Sequence, residues 1–150
     1  MTDVMLVHAT AVAIDGKAIL LRGPPGAGKS DLALRLIDGG ADLVADDQAE
    51  LWRAGNRLRV RAPAAITGLI EIRGIGILRL QALAEAPLAM CVDLKPSAKI
   101  ERFPQRRFEE VLGIAVPLIA VSAFDASAAA KLRVALRAFS PDPLPAIMQP

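Results

Sequence analysis

The sequence predicts an α/β domain with a mostly β core and flanking helices, and three observations carry that prediction. Val4 to Leu21 is rich in aliphatic and β-branched residues around a single Asp15-Gly16 turn. A Gly- and Pro-rich octapeptide follows at once, and beyond it Leu32, Leu36 and Ile37 recur at i, i+4 and i+5. Strand, glycine loop and helix, in that order, form the unit of a P-loop nucleotide-binding fold. The 150 residues, 53% apolar and 23% charged, suffice for one core. Residues 1–139 read as that single domain, and 140–150, with four prolines, as a poorly ordered tail.

Each element follows from local chemistry. Val4 to Ile14 and Lys17 to Leu21 read as the two strands of a hairpin. The helix begins at Lys29 or Ser30 and ends at Gly39-Gly40, since glycine accepts the left-handed conformation that closes a helix. Asp42 to Ala45 is the next strand. Glu50 to Arg53 and the alternating Arg57-Leu58-Arg59-Val60-Arg61, joined by Ala54-Gly55-Asn56, form a second hairpin whose arginines make a solvated face. Leu69 to Arg73 and Ile75 to Leu80 are apolar stretches split by Gly74, and Leu88 to Leu94 is a further strand. Helical spacing predicts helices over Gln105 to Leu112, from Phe108, Val111 and Leu112, and over Ala128 to Phe139.

Composition also excludes partners. Eighteen Lys and Arg against 16 Asp and Glu leave a formal charge of +2, too small to point to nucleic acid or an anionic membrane. The longest uncharged stretch, Val111 to Phe124, contains Gly113 and Pro117 and falls short of the roughly 20 apolar residues of a membrane helix. Met1-Thr2-Asp3 lacks the positive start of a secretory signal, and the lone Cys91 forms no internal disulfide, so a reducing cytoplasmic setting is expected.

The strongest signal is Gly23-Pro24-Pro25-Gly26-Ala27-Gly28-Lys29-Ser30, which matches G-x-x-x-x-G-K-[ST] between a predicted strand and a predicted helix. Glycines let successive N–H groups turn toward phosphate oxygens, and the helix N-terminus adds partial positive charge. Lys29 then reaches the β and γ phosphates, and the Ser30 hydroxyl reaches Mg²⁺; Asp31 opens the first turn. ATP with Mg²⁺ is the expected ligand. A transfer enzyme needs a further acid, and two strands end in one: Leu43-Val44-Ala45 in Asp46-Asp47, and Leu88 to Val92 in Asp93. Asp46-Asp47 is the sharper signal, because adjacent carboxylates repel unless a cation or proton uses them, although Asp also favours plain turns.

Val7-His8-Ala9 to Ile14, the P-loop, Leu43 to Asp47, and above all Glu71-Ile72-Arg73-Gly74-Ile75-Gly76-Ile77 resemble the catalytic domain of bacterial HPr kinase/phosphorylase, in order, from about Val7 to Pro117. The resemblance implies a fold like that of phosphoenolpyruvate carboxykinase around the nucleotide, and an ATP-dependent serine kinase acting on HPr or a related phosphocarrier, with reverse phosphorolysis. It further implies a homo-hexamer, a place in phosphotransferase-system or two-component regulation, and a set of roles. Asp46 is then the general base, Asp47 binds substrate or metal beside it, Glu71 joins Ser30 at Mg²⁺, Arg73 steadies phosphate charge, and His8 lies near the transferred phosphate.

Three departures from the family pattern accompany this. The usual N-terminal domain is absent, the phosphate loop carries Pro24-Pro25-Gly26-Ala27 in place of small polar residues, and Ser122 to Ser127 has no basic residue where the family carries a Pro-Gly-Arg-Asn type loop. Two other readings therefore stand beside the protein kinase. One is an ATP-sensing module without transfer. The other is a small-molecule P-loop kinase with a lid drawn from Arg102, Arg106 and Arg107.

Overall fold

In the computed structural model, which describes residues 3–139, the strands in chain order are β1 (Val4–Val7), β2 (Thr10–Ile14), β3 (Lys17–Arg22), β4 (Asp42–Ala45), β5 (Ala49–Ala54), β6 (Arg57–Arg61), β7 (Leu69–Ile72), β8 (Gly76–Arg79), β9 (Ala86–Leu94), β10 (Arg107–Val111) and β11 (Ile114–Val121). The helices are α1 (Lys29–Asp38) and α2 (Ala128–Ala138). The Pro-rich segment 140–150 lies outside the described residues.

The turn between β2 and β3 sets the centre of the sheet. Asp15 and Gly16 both take positive φ, 52° and 79°, as a tight hairpin with the twist of its strands requires. β2 also pairs with β4, antiparallel, while the other edge of β3 pairs with β9 in parallel. β9 is long enough to share its far edge: β6 lies antiparallel along Ala86-Pro87, and β11 lies parallel along Cys91 to Leu94. β5 continues the sheet beyond β6, β1 closes that side, and β10 closes the side of β11. β7 and β8 form a separate hairpin.

Alternation along β3 decides what each face buries. Ile19 and Leu21 point with Val12, Met90 and Val92 toward the helices, where Leu32, Ala33 and Leu36 of α1 and Ala128, Leu132 and Leu136 of α2 cover them. Ala18 and Leu20 face the opposite layer, with Val44, Leu51, Leu58, Val60 and Val116. Full burial of each Leu or Ile contributes about 1.5–3 kcal/mol, so each helix is held by its apolar stripe rather than by propensity. α1 stops where expected: the N–H of Gly40 bonds the Ile37 carbonyl, that of Ala41 bonds the Leu36 carbonyl, and Gly40 has φ 110°. Cys91 is fully buried in the sheet, and burial pushes its thiol up to about 11, so it acts as a small hydrophobe.

Two expected elements are corrected. Val4 to Ile14 is not one strand of a hairpin; the chain breaks at His8-Ala9, and β1 leaves to pair with β5 while β2 alone meets β3. The physical reason is burial: β2 is enclosed on both faces, whereas β1 runs along the sheet edge with alternate residues exposed. Gln105 to Leu112 is not a helix, since Arg107–Val111 is β10, paired residue by residue with β11. Pairing to a preformed strand overrides the local spacing there. Among the described residues no helix is long and apolar enough to cross a membrane.

Candidate phosphate-binding and transfer site

Because β3, β9 and β11 are mutually parallel, their C-terminal ends meet on one side of the sheet. That is where open α/β sheets place ligands, and the P-loop emerges there from β3. Gly26 and Gly28 have φ of 85° and 98°, a conformation that side chains resist. A Cβ on Gly28 would also lie 2.8 Å from the Ala123 Cβ, and one on Gly23 2.7 Å from the Ala27 Cβ. Pro24 and Pro25 lack N–H groups, so the donors left to face an anion are those from Gly26 to Ser30, through the loop and into the first turn of α1. Of these the Ala27 N–H is bonded to the Pro24 carbonyl at 3.0 Å. The Lys29 ammonium donates to the Gly23 carbonyl at 2.6 Å and folds back over the loop.

The acids at the end of β4 complete the floor. Asp46, only 8% exposed, accepts from the Ser30 hydroxyl at 2.7 Å, from Thr10 Oγ1 at 3.1 Å and from the Glu71 N–H at 3.0 Å. Three donors on one carboxylate fix P-loop, β2 and β7 to one another. Asp47 differs in every respect. Its φ is 67°, its N–H donates to Thr10 Oγ1, and its side chain is exposed into the cleft.

That cleft has a volume of about 420 Å³. Gly26, Lys29, Ser30, Asp47, Glu71 and Arg73 line it, as do Pro25, Gly28 and Asp31. The fold thus brings together the phosphate loop, one of the paired acids, and the Glu-Ile-Arg signature. Asp46 stands behind Ser30 rather than in the wall. His8 is exposed at the end of β1, where the register Val7↔Ala49 directs the chain toward Gln48 and Asp47, but it does not line the cleft. Arg102, Arg106 and Arg107 lie away from this cleft. Among the described residues there is no cluster of three or more His, Cys, Asp or Glu placed to hold a metal ion.

Asp93, the alternative acid, is committed elsewhere. The Arg22 guanidinium bonds Asp93 at 2.9 Å and grips both oxygens of Glu109, which ties the strand leading into the P-loop to β9 and β10. Arg22 holds the Glu109 carboxyl below its ordinary value of 4.5, chiefly through these hydrogen bonds. A depressed carboxyl contributes stability above its unfolded value and loses it as pH falls through the folded one. Glu109→Gln is therefore expected to lower the melting temperature near pH 7 and to flatten its decline below about pH 4.5, with the two proteins converging in stronger acid. Parallel melting curves at every pH would remove Glu109 from the acid response.

Sequence reasoning missed Thr10 and Phe124. Thr10 is fully buried and serves both Asp46 and Asp47; its only sign was a hydroxyl between Ala9 and Ala11 in an apolar run. Phe124, 69% exposed, stands in the cleft wall against Gly28. An aromatic residue directly after a small-residue strand end was its signal.

The family model for the HPr Serine kinase C-terminal domain matches residues 1–136. The chain belongs to the HPr serine kinase C-terminal domain family. Curated relatives include the HPr kinase/phosphorylase of Caldanaerobacter subterraneus subsp. tengcongensis, 37% identical over 112 residues, or 72% of this chain and 36% of that one. The HPr kinase/phosphorylase of Caldicellulosiruptor bescii is 36% identical over 126 residues, covering 76% and 40%. The chain therefore spans well under half the length of either relative. Among solved structures, the Hpr(Ser) kinase/phosphatase from Coxiella burnetii superposes with a TM-score of 0.79 at 29% identity, covering 89% of this chain and 94% of that one. The α/β fold expected from the sequence is that of this family.

Proposed function

We propose that this domain binds ATP with Mg²⁺ and transfers the γ-phosphoryl group to a serine of an HPr-like phosphocarrier. The observation that carries the reading is the convergence of the P-loop, Asp47, Glu71 and Arg73 on one cleft at the C-terminal ends of three parallel strands. The kinase/phosphorylase names of the relatives support it.

The residues fit the nucleotide and its metal. Lys29 supplies a cation to the β and γ phosphates, and positive-φ glycines leave room for oxygens beside the backbone. Bound Mg²⁺ neutralises phosphate charge, and Ser30 and Glu71 are the residues that would hold it. Asp46 orients Ser30 by accepting its hydrogen bond, which leaves the hydroxyl lone pairs free for a cation. The sequence expectation gave the general base to Asp46. Its burial and three hydrogen bonds favour exchanging the two roles, because a base must reach the substrate proton and Asp47 faces the cleft. Asp47 takes the serine proton, the serine oxygen forms a bond to the γ phosphorus, and the bond to the bridging oxygen breaks to release ADP. Arg73 bears on the charge of the group in transit.

Purified protein incubated with γ-labelled ATP, Mg²⁺ and the host's HPr homologues should yield labelled phosphoserine. ATP binding without any label would instead support the sensing reading. The absence of a cation from the loop 122–127 and the presence of Phe124 in the cleft wall favour that second reading.

A further inference from the structure

A second cleft, of about 690 Å³, opens between the connection that leaves β9 and the face of β11. Lys95, Lys99, Arg106 and Arg107 line it. Among the described residues none of the four forms an ion pair, although Glu101 also lines the cleft. Elsewhere Arg22, Arg35, Arg59, Arg61 and Lys131 are each matched to a carboxylate. Four unmatched cations in one concavity repel one another, a cost that a bound anion removes. The floor is apolar, from Pro117 to Ala120, and the Arg106 guanidinium carbon lies 4.6 Å from the centre of the Phe139 ring.

Two phenyl rings of this cleft stand out from the surface: Phe103 is 83% exposed and Phe108 59%. A site for a small metabolite encloses its aromatic residues, whereas projecting rings beside arginines are the makeup of a protein interface. A net charge of only +2 argues against a nucleic-acid track. We propose that this cleft docks an acidic segment of a partner protein, one that carries an aromatic or large aliphatic side chain between its carboxylates. It is separate from the phosphate cleft, yet the two share a seam. Lys95 bonds the Val121 carbonyl through its N–H, and Phe124, three residues on, lines the phosphate site. A partner held by its acidic segment is thereby kept beside the place of reaction.

The probe is a fluorescein-labelled peptide of alternating Glu and Phe, titrated into the full chain and followed by fluorescence anisotropy. The native protein should bind it, with affinity falling as salt is raised. Lys95→Glu combined with Lys99→Glu should weaken binding about tenfold or more, since two attractions become repulsions. Phe103→Ser, at an exposed ring whose neighbour is the Arg102 guanidinium at 5.3 Å, should weaken it several-fold while the melting temperature and ATP binding hold. A Lys-Phe peptide should not bind. Equal affinity for native and charge-reversed proteins overturns the proposal, as does an equally tight single-stranded oligonucleotide or displacement of the peptide by micromolar pyrophosphate. Loss of a native dimer in the charge-reversed protein, with peptide binding unchanged, would assign the cleft to a second copy and overturn it equally.

Discussion

Lys29→Ala should bind ATP with Mg²⁺ about 10- to 100-fold more weakly and transfer no measurable phosphate. The lysine is the one side-chain cation carried by the phosphate loop itself, and a hydrogen bond to a charged group contributes about 1.5–3 kcal/mol. Its ammonium bonds loop carbonyls of Gly23 and Pro24, contacts that water replaces at small cost. The variant should therefore melt close to the native protein, and the loss can be read as one of function. Calorimetric titration with ATP and Mg²⁺, run beside a melting curve, makes the distinction. A folded variant with native affinity and native turnover would remove the P-loop assignment.

The two adjacent acids should separate cleanly. Asp47→Asn should keep fold and nucleotide affinity, because Asn adopts the left-handed backbone as readily as Asp and, among the described residues, this side chain has no hydrogen-bond partner. Transfer should fall by roughly 10²- to 10⁴-fold, the contribution of a positioned general base. Asp46→Asn should act differently. Its carboxylate accepts from three donors, and an amide would turn an N–H₂ group toward one of them, so a loss of about 1–3 kcal/mol of stability and a weaker affinity for nucleotide with Mg²⁺ are expected. Denaturant unfolding, nucleotide titration and single-turnover transfer on both variants decide the matter. Full turnover in Asp47→Asn with loss confined to Asp46→Asn would return the base to Asp46.

Much of this site was legible because its motif needs both residue types and a context. Gly23 to Ser30 identifies itself once a strand precedes it and a helix follows, whereas the acid stayed open between Asp46-Asp47 and Asp93, since both follow apolar strands. The Glu71 to Ile77 signature named the family but not its geometry: what binds β7 to the site is the Glu71 backbone N–H, which no side-chain pattern reports. The break at His8-Ala9 was hidden because nothing there is Gly or Pro; β1 departs only because β5 offers it a partner more than forty residues later. β10 was misread for a related reason. Phe108 and Val111 are spaced as on a helix, and the pairing of Phe108 with Pro117 that makes them a strand is a tertiary fact. Pro117 itself is tolerated within β11 because the pairing to β9 begins at Leu118.

The position of β3 between β2 and β9 governs how the protein comes to life. The β2–β3 hairpin is a local structure that forms within microseconds once both strands are available. The other edge of β3 waits for a strand whose Asp93 lies 71 residues beyond Arg22, and β11 comes later still. Closing so long a loop sets a high contact order and a slow search. On the ribosome, the phosphate loop therefore exists as sequence well before it exists as a cradle. On the proposed function, nucleotide would engage only after β9 has emerged, and mass action would then stabilise the most distant pairing in the sheet, that of β3 with β9.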